Sequence, residues 1–193
     1  RPFFQLVNIG DKAVPYNELT IRYWYTRENA NYPWAPDNTS QQFWCDYAAL
    51  GTNKVTGKFV KLANPANSAD YYLEVGFTLT SSLGAGKNSG EIQTRFNNAN
   101  WSDFNEIGDY SYDPSKTNYA DWTHVTLYRN GQIIWGTEPT SGAARIAYEE
   151  AAEVSDVSNN WIVYPNPSVN GEFNVEINEF NAKENFALQV MDI

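Results

Sequence analysis

The sequence predicts an all-β protein, an antiparallel β-sandwich assembled from short strands. Apolar and polar residues alternate along many short segments that are separated by turn residues, which is typical of half-buried strands. In residues 71–77, for example, Tyr71, Leu73 and Val75 share one face and Glu74 lies on the other. Two sheets that bury such apolar faces against each other form a sandwich.

The predicted strands follow one another along the first two thirds of the chain. Residues 19–26 repeat the alternation, with Leu19, Ile21, Tyr23 and Tyr25 on the inward face. Asn130-Gly131 lies between two predicted strands and indicates a type I′ hairpin, because both central residues of that turn need positive φ. The full set of predicted strands is 5–9, 19–26, 41–46, 55–62, 71–77, 91–96, 124–128 and 133–135.

Residues 91–112, EIQTRFNNANWSDFNEIGDYSY, predict a strand that leads into a loop rich in asparagine. Alternation places Gln93 and Arg95 on the outward face of this strand. Asparagine side chains hydrogen-bond their own backbone in turns, so we expect Trp101 to lie at or near the surface. A Trp that folds back onto the core is an equally reasonable expectation, since Trp is highly buried on average.

The charge and cysteine content narrow the class of partner. The net charge is −10. Residues 140–193 contribute most of it, with 2 basic and 9 acidic residues, whereas residues 1–139 contain 11 basic and 14 acidic residues. This balance argues against nucleic acid, whose phosphates require clustered Lys and Arg, whereas neutral glycans stay compatible. Aromatic residues make up 16% of the chain and suit sugar recognition as well as core packing.

The lone Cys45 forms no intramolecular disulfide, and we expect a small buried hydrophobe there.

Residues 4–139 resemble the family 3 carbohydrate-binding modules in one consistent order. The uncommon blocks FWCDY, RFNNANWSDFN and GDYSY carry the resemblance most strongly. It implies a jelly-roll-like β-sandwich that binds cellulose without catalysis and is attached to a glycoside hydrolase or a scaffold protein. The resemblance maps a linear binding strip onto Asp46, Tyr47, Arg95 and Trp101, with Gln93 among the polar anchors beside it.

Two features of the sequence depart from the family pattern. Tyr47 stands where His is common, which keeps an aromatic ring for stacking. The short loop 50–55 lacks an insertion with a further strip tyrosine, so Tyr32 and Trp34 in residues 29–41 are candidates to replace it, or else packing anchors of their loop. We also expect Asp46 to pair with Arg95 and hold its guanidinium flat.

The resemblance further implies a structural calcium ion, which takes hard oxygen ligands. The corresponding positions are Thr26, Glu28, Asn105, Gly108 and Asp109, and the alternative is that these residues only cap turns.

A second resemblance begins at Trp161. Residues 162–177, IVYPNPSVNGEFNVEI, followed by FALQVMDI, resemble the start of a C-terminal sorting domain of the type IX secretion system. We therefore expect a binding module at 1–139, whose first strand is missing, a linker at 140–160 with a short helix in residues 143–153, and a truncated sorting domain at 161–193. This organisation implies a secreted or cell-surface protein that engages the type IX machinery, with no membrane span.

Two other functions stay open. The first is hydrolysis of a glycan, which needs two carboxylates across a cleft, and no spacing or flanking sequence singles out such a pair. We expect His124 to face outward, and no Ser or Cys motif gives it a nucleophilic partner. The other alternative is a structural or catalysis-assisting module packed on a neighbouring hydrolase domain, with weak or no binding to crystalline cellulose. Its contact surface would use the outward residues of neighbouring strands, namely Arg22, Trp24, Tyr72, Glu74 and Tyr128.

Overall fold

The computed structural model describes residues 1–27, 41–101, 104–140, 161–164, 174–177 and 186–192. These residues form strands, short 3₁₀ turns and loops, which confirms the predicted all-β class. No helix in the described ranges has the length and apolar character needed to cross a bilayer.

Two five-stranded antiparallel sheets contain most of the strands. The first consists of β1 (Pro2–Asn8), β4 (Gln41–Ala48), β8 (Ile92–Asn98), β9 (Ala120–Asp121) and β14 (Phe186–Asp192). The second consists of β3 (Leu19–Tyr25), β5 (Val55–Ala66), β6 (Ala69–Phe77), β10 (Val125–Arg129) and β11 (Gln132–Trp135). The strand order is β4-β8-β1-β14-β9 in the first sheet and β11-β10-β3-β6-β5 in the second. Two further pairs are β2 (Val14–Pro15) with β7 (Ser82–Leu83), and β12 (Trp161–Tyr164) with β13 (Asn174–Ile177).

The alternating faces identified in the sequence form the core. Leu19, Ile21, Tyr23 and Tyr25 of β3 are buried, as are Tyr71, Leu73, Val75 and Phe77 of β6. They pack against apolar side chains of the first sheet, where Phe4, Leu6 and Ile92 are fully buried. Aromatic rings contact one another through this interior, with Phe96 lying 4.9 Å from Tyr25 and 6.0 Å from Phe59 between ring centroids.

The predicted hairpin at Asn130-Gly131 is confirmed. Both residues have positive φ, 50° and 80°, and they join β10 to β11. Strand ends differ slightly from the predicted ones, as β5 continues to Ala66 and β10 begins after His124. His124 is half buried rather than outward-facing, because its ring stacks on Tyr110 and touches Trp122.

Gly57 marks a close contact where β4 and β5 meet. A Cβ atom added at Gly57 would lie 2.2 Å from the ring of Phe43. Only a residue without a side chain leaves room for this ring. The absence of a Cβ at position 57 therefore sets how closely β4, an edge of the first sheet, approaches β5, an edge of the second.

The last described strand does not follow the predicted domain boundary. Residues 186–192 were predicted to belong to a separate C-terminal domain. In the structure they pair along their whole length with β1 and belong to the same compact unit as residues 1–143. The reason is their alternation, which gives Leu188 and Val190 a buried face in the module's core. The predicted domain boundaries and the resemblance to a sorting domain both stay predictions.

Residues 144–183 form a second compact unit. Its described part is the antiparallel pair of β12 and β13, in register from Trp161 opposite Ile177 to Tyr164 opposite Asn174. Several predictions fall outside the described residues: the linker helix in 143–153, Glu28, Tyr32 and Trp34.

Candidate functional site: an exposed aromatic and polar strip

The strip residues lie on the two strands at one edge of the first sheet. β4 pairs with β8 antiparallel, and the register shifts between Cys45, opposite Thr94, and Tyr47, opposite Gln93. This irregularity is a β-bulge, which inserts one extra residue and locally redirects side chains. As a result Asp46 and Tyr47, although adjacent in sequence, are both exposed.

Asp46 and Arg95 form the ion pair expected from the sequence. Nε of Arg95 donates to both carboxylate oxygens of Asp46, at 3.0 Å to Oδ1 and 2.8 Å to Oδ2. Both groups are accessible to solvent, so the pair contributes little to folding stability. Its effect is to fix the orientation of the guanidinium plane.

Trp44 also belongs to the strip, although it was not among the predicted strip residues. The guanidinium carbon of Arg95 lies 4.4 Å from the centroid of the Trp44 ring, within the range of a cation–π contact. The Trp44 ring also stacks on Trp101, with centroids 5.8 Å apart and planes 24° from parallel. The signal was present in the sequence, because Trp44 lies two residues before Asp46 and alternation places the two on one face.

Trp101 confirms the expectation of a surface indole. Its side chain is 67% exposed, the highest value among the tryptophans of the described residues. Its backbone adopts φ of 61°, in the left-handed region that is unusual for a bulky residue. Its N–H donates to the carbonyl of Asn98 at 2.9 Å, so the asparagine turn holds the indole outside the core.

Tyr47 and Gln93 extend the strip along the sheet. Tyr47 is 50% exposed and lies directly opposite Gln93 across the strand pair. Nε2 of Gln93 donates to Oε2 of Glu91 at 2.9 Å, which leaves the amide oxygen of Gln93 as an acceptor. Asp46, Tyr47, Gln93 and Arg95 thus lie on neighbouring strands. Trp101 contacts this group through the Trp44 ring, which packs on both Trp101 and Arg95.

Cys45 has no features of a reactive thiol. Burial and the neighbouring Asp46 carboxylate raise the pKa of the thiol, which lowers its thiolate fraction. Its Sγ lies against the carbonyl of Tyr47, and the side chain packs on the core.

Two of the four described calcium candidates are in direct contact. Oδ1 of Asp109 accepts a hydrogen bond from the backbone N–H of Thr26 at 2.8 Å. Asp109 is nearly buried, and this burial, with the nearby carboxylates of Glu106 and Asp70, raises the pKa of Asp109 to about 7. Gly108 precedes it in the same turn, while Oδ1 of Asn105 accepts from the N–H of Ile107 at 3.3 Å.

This donor set fits a hard cation. Within the part of the chain that the structure describes, no three His, Cys, Asp or Glu side chains converge. Calcium does not need three carboxylates, because amide, hydroxyl and carbonyl oxygens complete its coordination. A carboxylate whose pKa is raised by burial and by neighbouring carboxylates is a group whose ionised form a cation would stabilise.

The outward surface proposed for a partner domain is smaller than expected. Trp24 and Tyr128 are only 4% and 3% exposed, which corrects the expectation that both face solvent. Nε1 of Trp24 donates to Oγ1 of Thr126 at 2.9 Å, and the 104–124 region covers this face through Ser111, whose Oγ accepts from the Trp24 N–H. Alternation identifies the side of a sheet but not whether a loop covers it.

Arg22 stays near this surface with its charge compensated. Its guanidinium lies over the rings of Tyr72 and Tyr128, 4.5 Å and 4.1 Å from their centroids. It also forms ion pairs with Glu74 at 3.1 Å and Glu138 at 3.7 Å.

A β-sandwich that displays aromatic and polar side chains on one sheet defines a binding module for a ligand with flat, weakly polar faces. Comparison with known proteins agrees with this class. Residues 1–136 match the family model for the cellulose binding domain of family 3. The chain therefore belongs to the family 3 carbohydrate-binding modules, which bind sugars and are not catalytic.

Curated relatives are mostly much longer than the matched region. Exoglucanase-2 of Thermoclostridium stercorarium is 37% identical over 138 residues, which cover 72% of this chain but 14% of that protein. Endoglucanase A of Paenibacillus lautus is 41% identical over 140 residues, 72% of this chain and 19% of that protein.

Solved structures give the same family. CBM3b of the major scaffoldin subunit ScaA from Acetivibrio cellulolyticus superposes with a TM-score of 0.63 at 36% identity, covering 71% of this chain and 84% of that chain. CBM3b of the cellulosomal cellobiohydrolase 9A from Clostridium thermocellum superposes with a TM-score of 0.60 at 32% identity, covering 71% and 85%.

Proposed function

We propose that this module binds cellulose through the strip formed by Asp46, Tyr47, Gln93, Arg95 and Trp101, with Trp44 as its central support. Pyranose rings present apolar C–H faces on which aromatic rings stack, and hydroxyl groups at their edges that polar side chains bind. The observation that carries the proposal is the exposure of Trp101 and Tyr47, 67% and 50%, on the sheet edge that also holds the Asp46–Arg95 pair.

The strip suits a neutral ligand because its charges are internally paired. Arg95 is bound to Asp46 and covers Trp44, so it offers further N–H donors without a net local charge. Gln93 adds an amide acceptor. Hydroxyl groups supply both donors and acceptors and match this combination.

Adsorption to insoluble cellulose tests the strip. Trp101→Ala should remove most of the adsorbed protein, since base-like stacking on an aromatic ring is worth ~1–3 kcal/mol, and should leave the thermal transition unchanged because the indole is outside the core. Ile133→Ala is the matched control, as Ile133 is 46% exposed on the second sheet. Binding by Trp101→Ala equal to that of the unmodified chain would reject this face.

We further propose that Asp109, with Thr26, Asn105, Gly108 and Glu28, holds a structural calcium ion. The support is the buried Asp109 carboxylate beside the Thr26 backbone, with oxygen donors in the same turn. The ion would supply positive charge that links the end of β3 to the 104–109 turn and would take no part in sugar chemistry.

The setting of the module is proposed from its relatives. Exoglucanase and endoglucanase names among them support a module that targets a covalently attached glycoside hydrolase to plant cell-wall polysaccharide. The resemblance at residues 162–177 supports export through the type IX system to the cell surface or beyond. Detection of the protein outside the cell only when that system is intact tests the export route.

A further inference from the structure

Strand β1 places a phenylalanine beside the binding strip. Phe3 lies directly opposite Gln93 of β8, and Gln93 lies directly opposite Tyr47 of β4. Residues that lie opposite each other on paired strands share one face of the sheet. The three side chains therefore form a line across three neighbouring strands, and this line extends the strip sideways.

The burial pattern of β1 shows which of its residues lie on this face. Phe4 and Leu6 are buried, whereas Phe3 and Gln5 are partly exposed, as the alternation of a strand requires. Gln5 is thus the next outward residue on β1 after Phe3. β1 therefore offers an aromatic ring and an amide on one face, the same two kinds of group with which the strip would bind a sugar.

The strip itself runs along its two strands. Trp44 lies opposite Arg95, and Tyr47 lies opposite Gln93 further along the same strand pair. A glucan chain that follows these residues would therefore lie along β4 and β8. β1 is the next strand of the sheet, and neighbouring strands are about 4.8 Å apart, so the backbone of Phe3 lies roughly 10 Å to the side of Tyr47.

This separation exceeds the width of a pyranose ring. A single glucan chain on the strip would leave Phe3 and Gln5 uncovered, because it is only one ring wide. A second chain that runs parallel to the first would lie along β1, which pairs with β8. Glucan chains lie side by side in this way on the flat surface of a cellulose crystal, whereas amorphous cellulose lacks this alignment.

We propose that Phe3 and Gln5 contact a second glucan chain, so that this module binds aligned chains in preference to single ones. The inference rests on the proposed binding of cellulose through the strip, and it names the form of cellulose that the site selects. The Phe3 ring packs on a C–H face of the second chain, and the Gln5 amide binds its hydroxyl groups. Both contacts add to those of the strip only where the surface supplies two chains at once.

Adsorption to two forms of cellulose tests the second contact. Phe3→Ala should lower the affinity for microcrystalline cellulose by about 3- to 10-fold, a modest loss for a partly exposed ring, and leave the affinity for swollen amorphous cellulose unchanged. Phe3→Tyr keeps the ring and should bind both forms as the unmodified chain does. Ile133→Ala, exposed on the second sheet, is the matched control and should also bind both forms normally. Equal losses by Phe3→Ala on both forms, or no loss on either, would overturn the proposal.

A second variant tests the same contact without removing an apolar side chain. Gln5→Ala should lower the affinity for microcrystalline cellulose by about 2- to 3-fold, as expected for one lost hydrogen bond, with no loss on amorphous cellulose. Trp101→Ala separates this inference from the proposed function. Full adsorption of Trp101→Ala to both forms would reject the strip and the second contact with it. A loss by Trp101→Ala with none by Phe3→Ala and Gln5→Ala would reject the second contact alone.

Discussion

Trp44 positions two other residues of the strip. Its ring carries the Arg95 guanidinium 4.4 Å from its centroid and stacks on Trp101 at 5.8 Å. Arg95 in turn is fixed by Asp46, so three side chains lose their freedom before any ligand arrives. Preorganisation of this kind increases affinity by lowering the entropy lost on binding.

Replacement of Trp44 should therefore weaken binding beyond the loss of one ring. We expect Trp44→Ala to lower affinity for insoluble cellulose by about 10- to 100-fold, roughly 1.4–2.8 kcal/mol, because Arg95 and Trp101 both lose the ring on which they pack. Trp44→Phe should keep part of the affinity, because a smaller ring still stacks. Adsorption isotherms measure both variants, and an unchanged isotherm for Trp44→Ala would contradict this role.

The Asp109 carboxylate makes stability depend on pH. Its pKa is about 7 in the folded protein, above the ordinary value of 3.8, so the folded state binds its proton more tightly than the unfolded state does. In the absence of metal, the free energy of unfolding should fall as the pH rises from about 4 to 7 and level off above it. Asp109→Asn should flatten this dependence.

Calcium should reverse this fall in the free energy of unfolding in the upper part of that pH range. A cation stabilises the ionised carboxylate, and an ion that binds only the folded state raises the Tm by mass action. Calorimetry at pH 7.5 with 1 mM Ca²⁺ and then with a chelator should show a higher Tm with calcium. The same titration of Asp109→Asn should show a much smaller shift, and equal shifts in the two proteins would place the ion elsewhere.

At the scale of elements, β4 is held in place from the opposite sheet. The Phe43 ring occupies the space above Gly57 of β5, where a Cβ would approach to 2.2 Å. We expect a side chain at position 57 to displace Phe43 and with it β4, which carries Trp44, Asp46 and Tyr47. We therefore expect Gly57, which lies on the opposite sheet, to influence the position of the strip.

Gly57→Ala should accordingly reduce both stability and binding. Overpacking of a well-packed contact costs about 1–3 kcal/mol, and we expect the Tm to fall and cellulose adsorption to weaken together. Gly84→Ala is the matched control, because its Cβ would meet only the flexible Lys87 side chain at 3.3 Å. Thermal melts and adsorption isotherms of the two variants separate the effect of the close contact at Gly57 from that of adding a methyl group at an open position. Full adsorption by Gly57→Ala would show that β4 does not shift.

At the scale of the whole molecule, the net charge of −10 disfavours an anionic ligand and is compatible with a neutral one. A neutral glycan releases no condensed counterions, so the affinity for cellulose should change by less than about twofold between 50 and 500 mM NaCl. Anionic polysaccharide should not be retained at either salt concentration. A steep loss of cellulose binding with salt would indicate a charged ligand instead.

Local alternation predicted much of this fold. The inward faces of β3 and β6, the outward position of Gln93 and Arg95 and the hairpin at Asn130 all follow from period-two patterns and turn chemistry. These signals depend on neighbouring residues only, and each is confirmed in the structure.

Longer-range features could not be predicted in the same way. The pairing of β14 with β1 joins residues at opposite ends of the chain, and no local pattern specifies which edge a strand joins. The burial of Trp24 and Tyr128 depends on a loop that covers the second sheet. The bulge at Asp46 breaks strict alternation, and only the structure reveals that Asp46 and Tyr47 are both exposed.

The Trp44–Trp101 pair also gives the strip an optical signature. Two indoles with centroids 5.8 Å apart couple their electronic transitions, and because their planes are tilted by 24° we expect a split band in the circular dichroism spectrum. A saccharide that covers the outer indole changes its surroundings and shifts its emission to shorter wavelength. Soluble oligosaccharides could thus be titrated against the protein by its intrinsic fluorescence, without a label.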